Sequence, residues 1–219
     1  MNHAANVSIQ RSTRANILPR VKEGPRPIAL ILAGGSSQRM GMPKPFTPMH
    51  GVPLIEHVMQ RLRTIFAEVY LVATDSQAFA HLGVPVIQDM GPQQGPLMGL
   101  YSGLMASDAE WCFVVGCDMP LLSAPAIAYM AEHLRDADIV AARINGRVQT
   151  LHAFYSRRCI PAASHLLSLG TTSLKPLTEG CRSTILPGQD FTRLGLEIAS
   201  FTDVDTPQEL ARLEAEVAV

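Results

Sequence analysis

Short unbroken apolar runs alternate along the chain with stretches whose apolar residues recur every three or four positions. Ile28-Ala29-Leu30-Ile31-Leu32-Ala33 is one such run, and it stops at Gly34-Gly35. A continuous run of this length suits a strand buried on both faces. Leu54, Ile55, Val58, Met59, Leu62, Ile65 and Phe66 then recur at helical spacing, with Pro53 at the helix start. Val69–Ala73 reads as a second strand, 76–82 as a short helix and Val84–Ile87 as a third strand. A helix over 97–107, a strand Trp111–Gly116, a helix over 124–135 and a strand Asp138–Ala142 continue the pattern. Strand and helix in alternation predict an α/β domain, its sheet mostly parallel with helices on both faces.

Asn145-Gly146 breaks the alternation with a two-residue turn signal between Ile144 and Val148. It predicts an antiparallel pair, and so a mixed sheet. Residues 157–169 read as helix, whereas 171–200 fit no single period. The last helix spans 206–217, with Thr206, Pro207 and Glu209 forming a capping box. Gly91-Pro92-Gln93-Gln94-Gly95-Pro96 is a loop without regular structure.

Composition narrows the function. The chain has 219 residues, 47% hydrophobic and 17% charged, enough for one core, and a single domain is expected over 27–219. Residues 1–26 carry Arg11, Arg14, Arg20, Lys22 and Arg26 against Glu23, with no long apolar segment. They read as a disordered basic tail rather than a secretory signal. No run approaches the length needed to span a bilayer. A net charge of −1 provides no basic field for nucleic acid. Cys112, Cys117, Cys159 and Cys181 form no C-x-x-C pair, so a zinc site is not expected, and they read as reduced thiols of a cytoplasmic protein.

Within this frame the run Leu32-Ala33-Gly34-Gly35-Ser36-Ser37-Gln38-Arg39-Met40-Gly41-Met42-Pro43-Lys44 stands out. A buried strand opens into a glycine-rich loop that delivers two cations. Successive amides in such a loop make an anion nest, and Arg39 and Lys44 supply charge for phosphate oxygens. The expected guest is a polyphosphate. The spacing is neither G-x-x-x-x-G-K-[ST] nor G-x-G-x-x-G, which argues against P-loop and dehydrogenase chemistry. Asp118 follows the strand Trp111–Gly116 on the same rim, where one carboxylate can hold Mg²⁺ against a triphosphate. Asp89 ends another apolar strand, ahead of the loop 91–96. Asp203 and Asp205 alternate around Val204; one of them could approach the metal, or Asp205 and Thr206 could simply start the last helix.

Together these residues resemble a known family. Leu32–Lys44 is similar to the L-A-G-G-x-S-x-R-M-G-x-x-K signature of the molybdenum cofactor guanylyltransferases. Gly95-Pro96-Leu97-Met98-Gly99-Leu100, Cys117-Asp118-Met119-Pro120 and Phe201–Pro207 resemble three further segments of that family, in the same order. The resemblance runs from about residue 28 to the C-terminus. It implies a Rossmann-like nucleotidyltransferase fold, Mg²⁺ as cofactor, and a reaction of GTP with molybdopterin that releases pyrophosphate. It implies that the Leu32-Ala33-Gly34 backbone, Lys44, Asp89 and, through Mg²⁺, Asp118 bind the nucleotide, with Arg39, Lys44 and Asp118 catalytic. Gly35 completes L-A-G-G, where the cytidylyltransferase relatives usually have L-A-A-G. Asp203 and Asp205 stand where the guanylyltransferases usually carry asparagine, a feature more typical of those CTP-using relatives. A molybdenum cofactor cytidylyltransferase, or a sugar-phosphate nucleotidyltransferase of the same fold, is therefore the alternative. Molybdoenzyme apoproteins or their chaperones are the implied protein partners. The enzyme is expected in the cytoplasm as a monomer, bound to neither membrane nor nucleic acid.

Overall fold

The computed structural model describes residues 26–34, 42–91 and 95–217. The tail expected before residue 26, and Gly35 and Arg39 of the glycine loop, lie outside the described residues apart from Arg26.

Ten strands and seven α-helices follow in chain order: β1 (Ile28–Leu32), β2 (Pro48–Met49), β3 (Val52–Pro53), α1 (Leu54–Ile65), β4 (Val69–Ala73), β5 (Val86–Gln88), α2 (Pro96–Ala106), β6 (Trp111–Gly116), α3 (Ala124–Ala131), β7 (Ile139–Ile144), β8 (Arg147–Val148), β9 (His152–Ser156), α4 (Ile160–Ser168), α5 (Lys175–Gly180), β10 (Ser183–Pro187), α6 (Gly188–Arg193) and α7 (Pro207–Val217). The main sheet runs β10-β7-β9-β6-β1-β4-β5, with β8 paired to β7. The pairs β1–β4, β1–β6, β4–β5 and β7–β10 are parallel, whereas β9 is antiparallel to both β6 and β7.

β1 is buried on both faces, as its unbroken apolar run requires. Ala29 and Ile31 join a core with Ile55, Val58 and Leu62 of α1 and Ile127 and Met130 of α3. Ile28, Leu30 and Leu32 join a second core with Leu97, Leu100 and Leu104 of α2 and Ala163 and Leu167 of α4. Helices thus cover both faces of a mixed, mostly parallel sheet. Among the described residues no helix is long and apolar enough to cross a membrane.

The chain steps from β1 outward to β4 and β5, then returns through α2 to β6 on the other side of β1. The order reverses there, opening a crevice beyond the carboxyl ends of β1 and β6, the usual ligand position in open α/β sheets.

Several elements depart from expectation. Residues 77–82 form a 3₁₀ rather than an α-helical turn, and the third strand is Val86–Gln88 rather than 84–87. α3 ends at Ala131, short of residue 135, as Glu132 N turns back to Tyr129 O (3.3 Å). The 157–169 helix begins with a 3₁₀ turn over Arg157–Cys159 and becomes α-helical at Ile160. β9 lies in a stretch with no assigned strand, yet all five of its residues are buried. At the expected turn, Asn145 (φ 48°) and Gly146 (φ 78°) take the left-handed pair that joins β7 to β8.

Candidate active site

The rim of the crevice gathers five segments. The first is the end of β1. Leu32 O accepts from Cys117 N (3.3 Å) and Ala33 N donates to Val72 O (2.9 Å), extending the ladder by one step on each side. Among the described residues the Ala33 carbonyl and Gly34 amide have no hydrogen-bond partner. Of the backbone groups expected to meet a nucleotide, those two are among the ones the sheet leaves over. The Leu32 side chain is buried and packs toward Gly99 of α2.

The second segment brings in Lys44. It sits in a 3₁₀ turn, Lys44–Phe46, flanked by Pro43 and the buried Pro45. Phe46 stacks on Phe79 at 5.2 Å, anchoring the turn from behind. The Lys44 ammonium donates to Asp118 Oδ2 at 2.8 Å and to Asp205 Oδ1. Burial alone would lower its pKa, but the hydrogen bonds and charges of Asp118 and Asp205 outweigh that and hold it well above the ordinary lysine value.

The third segment carries Asp118, just past β6. Its side chain is only 16% exposed. A Cβ on Gly116 would collide with Asp118 Oδ1, so the missing side chain at 116 gives the carboxylate its seat. Asp118 O accepts from Val204 N at 2.9 Å, which ties in the fourth segment. There Val204 is fully buried with Met49, Leu54 and Leu213, leaving Asp203 and Asp205 on either side of a fixed anchor. Asp205 satisfies both readings of this segment. Its side chain meets Lys44, while its backbone N–H donates to Glu209 Oε2 (2.9 Å) in the cap of α7. Partial desolvation raises the Asp203 carboxyl; Asp205 and Asp118 add to the rise, and Lys44 opposes it.

The fifth segment carries Asp89, just past β5 and close to Gly34. Its N–H continues the sheet to Ala73 O (3.1 Å), and its Oδ2 accepts from Thr74 Oγ1 at 2.9 Å. A Cβ on Gly34 would lie 3.8 Å from that same oxygen. Among the described residues Asp89 Oδ1 is buried without a partner, and burial raises the carboxyl while the Thr74 bond opposes the rise. Gly95 (φ 126°) closes the wall behind: its missing Cβ would stand 2.8 Å from Thr172 Cβ, and Leu97 N donates to Thr172 O (3.0 Å).

Lys44, Asp89, Asp118 and the Leu32-Ala33-Gly34 backbone are therefore brought to one rim; Arg39 and Gly35 lie outside the described residues. Sequence reasoning missed Thr74, whose signal was a hydroxyl placed directly after a strand that ends on the rim. It also left unassigned the partnership of Asp205 with Lys44. The donor set is all oxygen, which suits Mg²⁺. Among the described residues no three histidine, cysteine or carboxylate groups converge as a ready metal cage. Asp118, with Asp205 beside it, meets the lesser need of Mg²⁺, which takes one or two protein carboxylates and completes its shell with phosphate and water.

Comparison with known proteins agrees with this fold. The profile of the MobA-like NTP transferase domain matches residues 29–184. A protein of Carboxydothermus hydrogenoformans named "Probable molybdenum cofactor guanylyltransferase" is 38% identical over 139 residues, 63% of this chain and 70% of that protein. A protein of the same name from Geobacillus sp. is 33% identical over 186 residues, 82% of this chain and 94% of that protein. The crystal structure of molybdopterin-guanine dinucleotide biosynthesis protein A from Archaeoglobus fulgidus superposes with a TM-score of 0.77 at 20% identity. It covers 87% of this chain and 98% of that one, which shows a shared fold. With its profile match and its relatives taken together, the chain belongs to the MobA-like NTP transferase domain family.

Proposed function

We propose that this nucleotidyltransferase moves GMP from GTP to the terminal phosphate of molybdopterin, releasing pyrophosphate. An oxygen of the acceptor phosphate attacks the α-phosphorus in line. The bond from that phosphorus to the bridging oxygen breaks, and pyrophosphate leaves with the electron pair. The acceptor is already an anion at neutral pH, so no general base is required. The observation that carries the reading is the meeting of Lys44, Asp118 and Asp205 at the strand-order reversal. The acceptor is supported by the names of the relatives.

Such transfers need positioning and charge neutralisation more than covalent catalysis. Mg²⁺ bound by Asp118 would supply charge neutralisation on the triphosphate oxygens. Lys44 would give its ammonium to the transferring and leaving phosphates, joined by Arg39 of the same loop. Asp89 would read the base. Its two carboxylate oxygens, one of them without a partner among the described residues, match the adjacent N1–H and N2–H₂ donors of guanine. Cytosine offers one donor group on that edge. The Ala33 carbonyl and Gly34 amide would bind alongside, and Gly34, which stands where the L-A-A-G signature has alanine, would leave room for the larger purine. Action in the cytoplasm, on cofactor destined for molybdoenzyme apoproteins or their chaperones, belongs to the same proposal.

CTP is the second reading, favoured by aspartate rather than asparagine at 203 and 205. Pyrophosphate release by the purified protein, with each of the four nucleoside triphosphates and with or without molybdopterin, separates the two. Release with GTP only when molybdopterin is present is the expected result. Preference for CTP would replace the nucleotide, and no release with any triphosphate would overturn the reading.

A further inference from the structure

One polar group in the interior is unused by this chemistry. His152, on β9 opposite Val115 of β6, is fully buried. Its ring lies 4.2 Å from that of Phe201 and meets Phe113 edge-on at 5.0 Å. Nε2 is 2.8 Å from Ser200 Oγ, and Nδ1 is buried without a partner among the described residues. Ser200 Oγ in turn accepts from the backbone N–H of Ser123 at 2.9 Å. Ser200 and Ser123 are themselves buried.

The two serines stand at instructive places. Ser123 closes the loop that begins with Asp118, immediately before α3. Ser200 opens the segment that leads to Asp203 and Asp205. Those two segments touch again at the rim, where Val204 N donates to Asp118 O. They are thus joined at both ends, and His152 stands behind the interior joint. A buried polar group without a charged partner is costly unless its hydrogen bonds fix a particular arrangement. The Ser200 hydroxyl can accept from Ser123 and donate to Nε2 only while the imidazole is neutral, its proton on Nδ1.

We propose that His152 is a positioning residue: through Ser200 and Ser123 it sets the separation of the Asp118 loop from the Asp203–Asp205 segment, and so the seat of Lys44 between them. This rests on the reading of those carboxylates as the transfer site, but the joint itself is open to a test that needs no activity. Phenylalanine at 152 keeps a ring of similar size among Phe113 and Phe201 while deleting the hydrogen bond. Ser200→Ala deletes the shared hydroxyl without adding bulk. His152→Gln restores an acceptor.

Native-state amide exchange, read residue by residue, tests the joint. In His152→Phe and Ser200→Ala the Val204 N–H should lose protection about tenfold, the order expected for one buried hydrogen bond, while β1 and β6 amides keep theirs. His152→Gln should recover most of it. Pyrophosphate release should show kcat lowered in His152→Phe with KM for the nucleotide unchanged. Val204 protection that stays at the wild-type level, or that falls in step with β1 and β6, would overturn the proposal. A wild-type protein that releases no pyrophosphate with any triphosphate would defeat the proposed function, and the exchange data would still decide the joint.

Discussion

The space that a Cβ on Gly116 would fill is taken by Oδ1 of Asp118. The last residue of β6 thus lacks a side chain so that the carboxylate just beyond it can fold back against the strand end, where it meets Lys44 at 2.8 Å.

Two variants probe that relationship. Asp118→Ala should cost ~10²–10³-fold in kcat, the range for loss of one electrostatic stabiliser, with the fold retained. Gly116→Ala keeps the carboxylate but displaces it, and should lower kcat about tenfold. Because both act through one group, adding Gly116→Ala to Asp118→Ala should change little further. Near-normal turnover of Asp118→Ala in saturating Mg²⁺ would remove Asp118 from the mechanism; strict additivity of the pair would remove Gly116 from its supporting role.

Asp205→Asn takes one negative charge from a rim where Asp118, Asp203 and Asp205 face a single described lysine. The Asp205 side chain is 43% exposed, so solvent screens much of its effect. Free GTP, titrated calorimetrically in the presence of a chelator, should bind about 2–5-fold tighter than to wild type. Weaker binding would mean that Asp205 holds Lys44 in its productive place rather than drawing it away.

Thr74→Val removes the only hydrogen bond of the Asp89 carboxylate among the described residues while preserving shape. The kcat/KM for GTP should fall about tenfold, as expected for a hydrogen bond to a charged group, and that for CTP should hardly move. An equal loss for both nucleotides would place Asp89 on the ribose or phosphates instead of the base.

The legible parts of the fold were those whose burial is written in consecutive residues. Val69–Ala73 and Trp111–Gly116 are strands with the predicted bounds because every position is apolar or small. β9 escaped because His152 and Ser156 give it polar ends: the burial of His152 is explained only by its distant partner Ser200, and that of Ser156 by a cap bond from Arg158 N. The stretch 171–200 was unreadable for a different reason. It holds α5, β10 and α6, each too short to establish a period and separated by Pro187, Gly180 and Gly188. Lys44 and Asp118 were visible as a cation after a glycine loop and an acid after a strand. Their link with Asp205 is a contact between distant parts of the chain, which no local pattern encodes.

Acid should weaken the fold through His152. Burial depresses its pKa from 6.5 to about 3. The neutral ring therefore contributes stability that is complete above pH 6.5 and is lost as pH falls toward 3, at up to about 1.4 kcal/mol per pH unit. Asp89 and Asp203, raised in the folded state, run the other way and gain stability as pH falls. The measurement is urea unfolding at pH 7.5, 5.5 and 4.5 for wild type and His152→Phe. The variant should lose the acid-dependent drop; parallel curves would assign that drop to other groups.

The double ion pair of Lys44 bears on how a polyphosphate gains the site. An anion arriving alone would have to pull the ammonium from Asp118 and Asp205 and leave two carboxylates facing it uncompensated. An anion escorted by a divalent cation hands those carboxylates a new counter-ion in the same event that it takes the lysine. The lysine of the resting crevice is in this sense already neutralised from within, and the site favours a swap of partners over simple attraction. Stray phosphate finds little there to hold it, whereas a metal-loaded triphosphate finds each charge it needs released by the one it brings.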